Sequence, residues 1–185
     1  MGLILVRHTR PDIAPGLCYG QTDVDVADTF ADEAAAVLSA LPQARRVASS
    51  PLRRCRLLAQ RIADAAGLPL DIDERLKEID FGAWEGRPWA ELPKQEIDAW
   101  ADNVLHARPH GGESVAMLKS RVDAALADWS ARDGPIAIVT HAGVIRVARS
   151  KDPRQAWGSG ASVGFGAIVA LPNINGDPTG GSSHD

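Results

Sequence analysis

Apolar residues follow two rhythms along this chain. Short aliphatic runs alternate with longer stretches where an apolar residue returns every third or fourth position. Residues 2–7, with Ile4, Leu5 and Val6 in a row, read as a buried strand. The next twenty or so hold Pro11, Pro15, Gly16 and Gly20 and read as a loop. Either Asp28 or Thr29 can cap a helix that shows Phe30, Ala34, Val37, Leu38 and Leu41 on one face and stops at Pro42. Residues 46–49 form a short second strand. A helix follows, with Ser50 as its expected N-cap, Pro51 at the first helical position and Gly67 past its end. Leu52, Cys55, Leu58, Ala59 and Ile62 supply its buried stripe.

Residues 68–72 give a brief third strand. The texture then changes: residues 73–110 hold Trp84, Trp89 and Trp100 among prolines, glycines and charges. That composition predicts a loop and short-helix excursion covering one end of the sheet. After Gly112, the positions of Val115, Leu118, Val122, Leu126 and Trp129 predict a long helix that Gly134 ends. Residues 135–140 and 165–171 complete the strands. Beyond residue 175 the chain lacks apolar content and is expected to fray.

Strands alternating with helices predict an α/β fold, a three-layer sandwich whose mostly parallel sheet carries helices on both faces. One domain is expected over residues 1–175, with a tail at 176–185. Binding sites in such folds gather beyond the carboxyl ends of the strands. Three chemically loaded spots fall there: Arg7 with His8, Ser49 with Ser50 and the arginines after them, and His141.

Composition narrows the classes. With 45% hydrophobic residues and no long apolar run, the chain is expected to be a cytoplasmic globular protein without a membrane partner. Cys18 and Cys55 form neither a disulfide framework nor a metal-ligand spacing. A net charge of −4 argues against nucleic acid. Yet Arg7 and Arg10 lie beside the first strand, and Arg53, Arg54 and Arg56 crowd one helical turn. Local arginine clusters in an acidic protein point to a discrete site for a small anion.

A phosphoryl group needs positive charge and directed donors around its oxygens. The start of the second helix offers free N–H groups and the positive end of its dipole. Arg54, in its first turn, and Arg7, from the first strand, can each grip an anion. Taken alone, each is an ordinary surface arginine. His8 and His141 are the histidines that directly follow strands, and each adjoins an expected anion site. Glu78 reads as a surface acid from its own context, with Asp80 as the weaker alternative proton donor. Metal is not expected, since supporting ligands at recognisable spacing are missing.

The segments "LVRHTRP", "SSPLRRCRLLA", "LKEIDFGAWEG", "GGES" and "VTHAGVIR" resemble, in order, the blocks of the histidine phosphatase superfamily, phosphoglycerate-mutase-like branch. They span roughly residues 2–148. The resemblance implies that His8 is a nucleophile forming a phosphohistidine. It implies that Arg7, Arg54 and His141 hold the phosphoryl oxygens, with Thr9 and Ser50 as further phosphate contacts. Glu78 would be the general acid and then the base, without metal or cofactor. Tyr19, Gln21, Trp84 and Glu113 are the candidates for the substrate side, Glu113 reading first as a charge at a helix start. Thr9 stands where the family most often has glycine. The loop at 15–26 looks like that of small phosphatases including α-ribazole phosphatase, and segment 149–164 is short where relatives continue a helix.

The expected activity is therefore hydrolysis of a small phosphate ester, with α-ribazole 5′-phosphate as one substrate. The alternatives are a phosphoglycerate mutase and a silent phosphate-binding regulator. A mutase must keep water off the phosphohistidine, which this compact chain with its glycine- and serine-rich tail is poorly furnished to do. The sequence leaves the oligomeric state open, a homodimer included.

Overall fold

The computed structural model describes residues 2–152, 154, 157 and 162–172. The tail expected at 176–185 lies outside them. Among the described residues the strands and α-helices follow in the order β1 (Leu3–Arg7), α1 (Phe30–Ala40), β2 (Arg46–Ser49), α2 (Arg53–Ala66), β3 (Leu70–Ile72), α3 (Lys94–Asp102), α4 (Val115–Ser130), β4 (Ile136–Thr140), α5 (Ala142–Arg149) and β5 (Ile168–Ala170). The strands form one sheet in the order β3-β2-β4-β1-β5. All pairings are parallel except that of β5 with β1.

Period-two alternation explains the layers. Leu3 and Leu5 of β1 pack with Ile136 and Ile138 of β4 against α4 and α5. Ile4, Val6, Val47 and Val139 point the other way, onto α1 and α2. A parallel strand buried on both faces needs apolar residues throughout, and every residue of β4 is buried. The three-layer α/β reading of the sequence therefore holds.

Local chemistry moved some boundaries. Ser50 does not cap α2; Leu52 occupies that position, and the helix begins at Arg53. The Arg53 N–H is bonded instead by Asp23 Oδ1 at 2.6 Å, a cap supplied from the 20–25 loop. That donor is therefore not free for an anion. Ser114 does cap α4, accepting from the Met117 N–H. Helix α5, which apolar spacing did not single out, follows His141 directly. The excursion at 73–110 holds three single turns of 3₁₀-helix and α3. Among the described residues, no helix is long and apolar enough to cross a membrane.

Candidate active site

Register assembles the site. Parallel pairing sets Arg7 beside Thr140 and Ser49 beside Val139, so the chains leaving β1, β4 and β2 emerge together. His8 and His141 are the next residues after two adjacent strands, and their rings meet with centroids 5.2 Å apart. Both are buried. His8 Nδ1 lies 2.7 Å from the Thr9 carbonyl oxygen, which can only accept. The proton therefore sits on Nδ1, and Nε2 keeps its lone pair. His141 Nε2 lies 2.8 Å from Ser50 Oγ, so the serine expected to cap a helix contacts this imidazole instead.

Two arginines face the histidines, and each is held by backbone oxygens. Arg54 is fully buried and donates to the carbonyls of Thr22 at 2.8 Å and Gly20 at 2.7 Å. Arg7 donates to the Val163 carbonyl at 2.5 Å, and its guanidinium stacks 3.9 Å from the Phe165 ring centre. These bonds fix the guanidiniums and leave part of each unused. Among the described residues, Arg7 Nε, Arg54 Nε and Thr9 Oγ1 are buried and without partners. Buried polar atoms are almost always bonded, so three orphans beside the two histidines make this a candidate ligand site; Trp100 Nε1, His110 Nε2 and Arg146 Nε are orphaned as well.

Electrostatics follow from burial. Desolvation, then Arg54, then Arg7 push His8 well below the ordinary histidine value, against the Thr9 carbonyl bond, which raises it. Desolvation, Arg54 and His8 do the same to His141. Both imidazoles are neutral at physiological pH. Burial also lowers Arg7, offset in part by Tyr19 and Glu78 beside it. The Cys55 thiol, 3.4 Å from His141 Nε2, is pushed up to about 12 by burial and remains a neutral thiol.

These shifts predict a pH dependence of stability. In the unfolded chain an imidazole titrates near 6.5, while the folded pair binds protons only well below that. Between the two values the unfolded state binds more protons, so stability is full above about pH 6.5 and is lost as pH falls from there. The loss approaches about 1.4 kcal/mol per histidine per pH unit. Thermal melts by circular dichroism should show a constant Tm above about pH 7 and a steepening fall beneath pH 6.5. A flat profile down to pH 5 would rule out buried neutral imidazoles.

Glu78 sits at the rim, half-buried. One carboxylate oxygen accepts the Gly143 N–H and the other the Ile79 N–H, each at 3.0 Å. The approach is close: a Cβ on Gly143 would lie 2.1 Å from Glu78 Oε1. Gln21 Nε2 donates to the Glu78 carbonyl at 3.1 Å. Asp80 is turned to its own loop, capping the Gly82 N–H.

The other substrate-side candidates fare unequally. Tyr19 lies 5.4 Å from the Arg54 guanidinium and lines a cleft of about 330 Å³ with Arg10, Ile13, Leu17 and Phe165. Trp84 is not at the site: it is wholly buried, its Nε1 donates to Glu96, and its ring packs edge-on against Trp89, Trp100 and His110. Glu113 is neither a free lip residue nor a bare helix charge. Its carboxylate is held bidentately by Arg121 at 2.7 Å.

Several groups escaped the sequence reading. Arg121 also donates to the carbonyls of Arg75, Lys77 and Glu78, so this ion pair clamps the segment that carries Glu78. Its signal was an arginine one turn from Leu118 on the buried face of α4. Glu85 accepts the N–H groups of Gln21, Thr22 and Phe81, stapling the 20–22 loop that holds Arg54. Gly20 is required there, since a Cβ would lie 2.0 Å from the Ile79 carbonyl oxygen. Phe165 lay in a segment whose only visible feature was its strand pattern.

A model of the histidine phosphatase superfamily (branch 1) matches residues 3–152. Glucosyl-3-phosphoglycerate phosphatase of Mycolicibacterium vanbaalenii is 33% identical over 159 residues, 77% of this chain and 70% of that one. Phosphoserine phosphatase 1 of Hydrogenobacter thermophilus is 30% identical over 147 residues, 75% of this chain and 70% of its own. The solved α-ribazole phosphatase of Shigella flexneri superposes with a TM-score of 0.80 at 25% identity, covering 93% of this chain and 90% of that one. With the family's model matched over most of its length, this chain belongs to branch 1 of the histidine phosphatase superfamily.

Proposed function

We propose that the chain is a metal-independent phosphomonoesterase that works through a phosphohistidine. The observation that carries this reading is the set of unpartnered buried donors on Arg7, Arg54 and Thr9 around a neutral His8 with its Nε2 lone pair free. In the first step Nε2 attacks phosphorus and the bond from phosphorus to the alcohol oxygen breaks. Glu78 gives that oxygen a proton. In the second, Glu78 takes a proton from water, the water oxygen attacks phosphorus, and the P–N bond breaks to return neutral His8. Arg7 and Arg54 are oriented before substrate arrives, so charge on the equatorial oxygens meets donors that need not reorganise. His141 contributes through Nε2, shared with Ser50 at rest.

Two guanidiniums supply the positive charge that a metal supplies elsewhere. The testing experiment is an assay on p-nitrophenyl phosphate with EDTA present, followed by a panel of phosphate esters. The relatives put glucosyl-3-phosphoglycerate, phosphoserine and α-ribazole 5′-phosphate on that panel. Tyr19, in its cleft beside Arg54, is the ring left to stack on a leaving group. Steady release of phosphate in EDTA is the expected result. Isomerisation of a phosphoglycerate without phosphate release would replace this reading with the mutase, and activity restored only by added divalent metal would overturn it.

A further inference from the structure

Residues 75–78 lead from β3 into the excursion and lie outside every strand, so no ladder satisfies their carbonyl oxygens. Side chains from two other elements do. Arg121 of α4 donates to the carbonyls of Arg75 at 2.8 Å, Lys77 at 2.7 Å and Glu78 at 2.9 Å. Its other two N–H groups go to the Glu113 carboxylate, each at 2.7 Å. A guanidinium has five such donors, and all are committed here. The carbonyl in between, on Leu76, accepts the Thr140 hydroxyl at 2.8 Å. Every carbonyl from Arg75 to Glu78 is thus held by a side chain.

Both anchors are tied to the site from behind. Thr140 is fully buried at the end of β4, immediately before His141, and its own carbonyl accepts the His8 N–H at 3.0 Å. The Arg121 and Glu113 side chains keep only 20% and 11% of their surface exposed. After burial, Arg54 and His8, Arg121 also lowers the proton affinity of His141, which places its charge close by. Yet neither the Arg121 guanidinium nor the Thr140 hydroxyl has a donor left for a ligand.

We infer that Arg121, Glu113 and Thr140 are positioning residues for the proton donor: without touching substrate, they hold the Glu78 backbone where its carboxylate meets the leaving oxygen. This rests on Glu78 being that donor. The carboxylate is aimed by the N–H groups of Ile79 and Gly143, and Ile79 is the next residue of the same segment. A backbone shift therefore moves the carboxylate and one of its guides together. Proton transfer needs donor and acceptor within hydrogen-bond reach, and a displacement of about 1 Å can cost a hundredfold. The phosphate cradle is built on other carbonyls, those of Val163, Gly20 and Thr22, and does not share the shift.

The test compares p-nitrophenyl phosphate, whose leaving oxygen is stable as an anion, with phenyl phosphate, the same ring on an oxygen that needs a proton. Arg121→Met combined with Glu113→Leu removes the ion pair as a unit, so no buried charge is left alone. Thr140→Val deletes one hydroxyl from β4 and carries the test if the double variant does not fold. Each should lower kcat/KM for phenyl phosphate by about tenfold or more, part of the 10² to 10⁴-fold that general acid catalysis supplies. With p-nitrophenyl phosphate, kcat/KM should stay within about threefold of wild type, as should inhibition by inorganic phosphate, because the charge-assisted donors remain. Glu78→Gln runs alongside as the reference for a lost proton donor. Equal losses on both esters in the two variants, or weakened phosphate inhibition, would overturn the inference while a discriminating Glu78→Gln kept the donor in place. Equal losses in Glu78→Gln as well would remove the donor, and the inference would fall with it.

Discussion

His8→Ala is expected to lower turnover of every phosphomonoester by about 10⁴-fold or more, the scale seen when a covalent nucleophile is removed. Alanine deletes the atom proposed to bond phosphorus, and no neighbour is placed to replace it. His141 Nε2 is engaged with Ser50 Oγ, and the Cys55 thiol is held neutral by burial. What survives is the electrostatic cradle, so the variant should still bind inorganic phosphate within about tenfold of wild type, since the charge-assisted donors remain. Two measurements check this: steady-state rates on p-nitrophenyl phosphate, and calorimetric phosphate titration. Rapid quench with a labelled ester should trap an acid-labile phosphoryl group in wild type and none in the variant. A variant retaining more than about one per cent of wild-type turnover would remove His8 from the role proposed for it, because a lost nucleophile costs far more.

How far the sequence disclosed this site depends on how local each cause is. Strand endings are local: aliphatic runs stopping at Arg7 and Thr140 predicted where His8 and His141 would fall, and parallel register brought them together. Arg54 was legible because it follows a strand by a few residues in the first turn of a helix. Long-range bonds were not legible. Ser50 has the composition of a cap, yet His141, ninety-one positions away in sequence, takes its hydroxyl, and Asp23 takes the helix N–H. Glu113 looked like a lip residue because nothing local announces Arg121 eight positions later as its partner. Trp84 was ambiguous for a different reason: a large ring in a loop suits a core or a ligand equally, and only the packing of Trp89, Trp100 and His110 around it decides.

Glu78→Gln should separate the two halves of the proposed reaction. For an alkyl phosphate, whose leaving oxygen needs a proton, kcat/KM should fall by about 10² to 10⁴-fold, the range for losing a general acid. For p-nitrophenyl phosphate the leaving oxygen is stable as an anion, so phosphorylation of His8 should be little affected. Dephosphorylation still lacks its base in both cases. Stopped flow with p-nitrophenyl phosphate should therefore show a burst of one nitrophenolate per enzyme, then a slow steady rate, with phosphohistidine accumulating. Geometry offers a competing cause, because glutamine cannot accept both N–H bonds that Ile79 and Gly143 direct at Glu78. Its amide nitrogen would face one of those donors and tilt the side chain. A tilt alone would slow both esters alike and give no burst, since it favours neither half-reaction. Burst kinetics would mean that Glu78 moves protons; equal losses without a burst would reduce it to a rim residue that shapes the pocket.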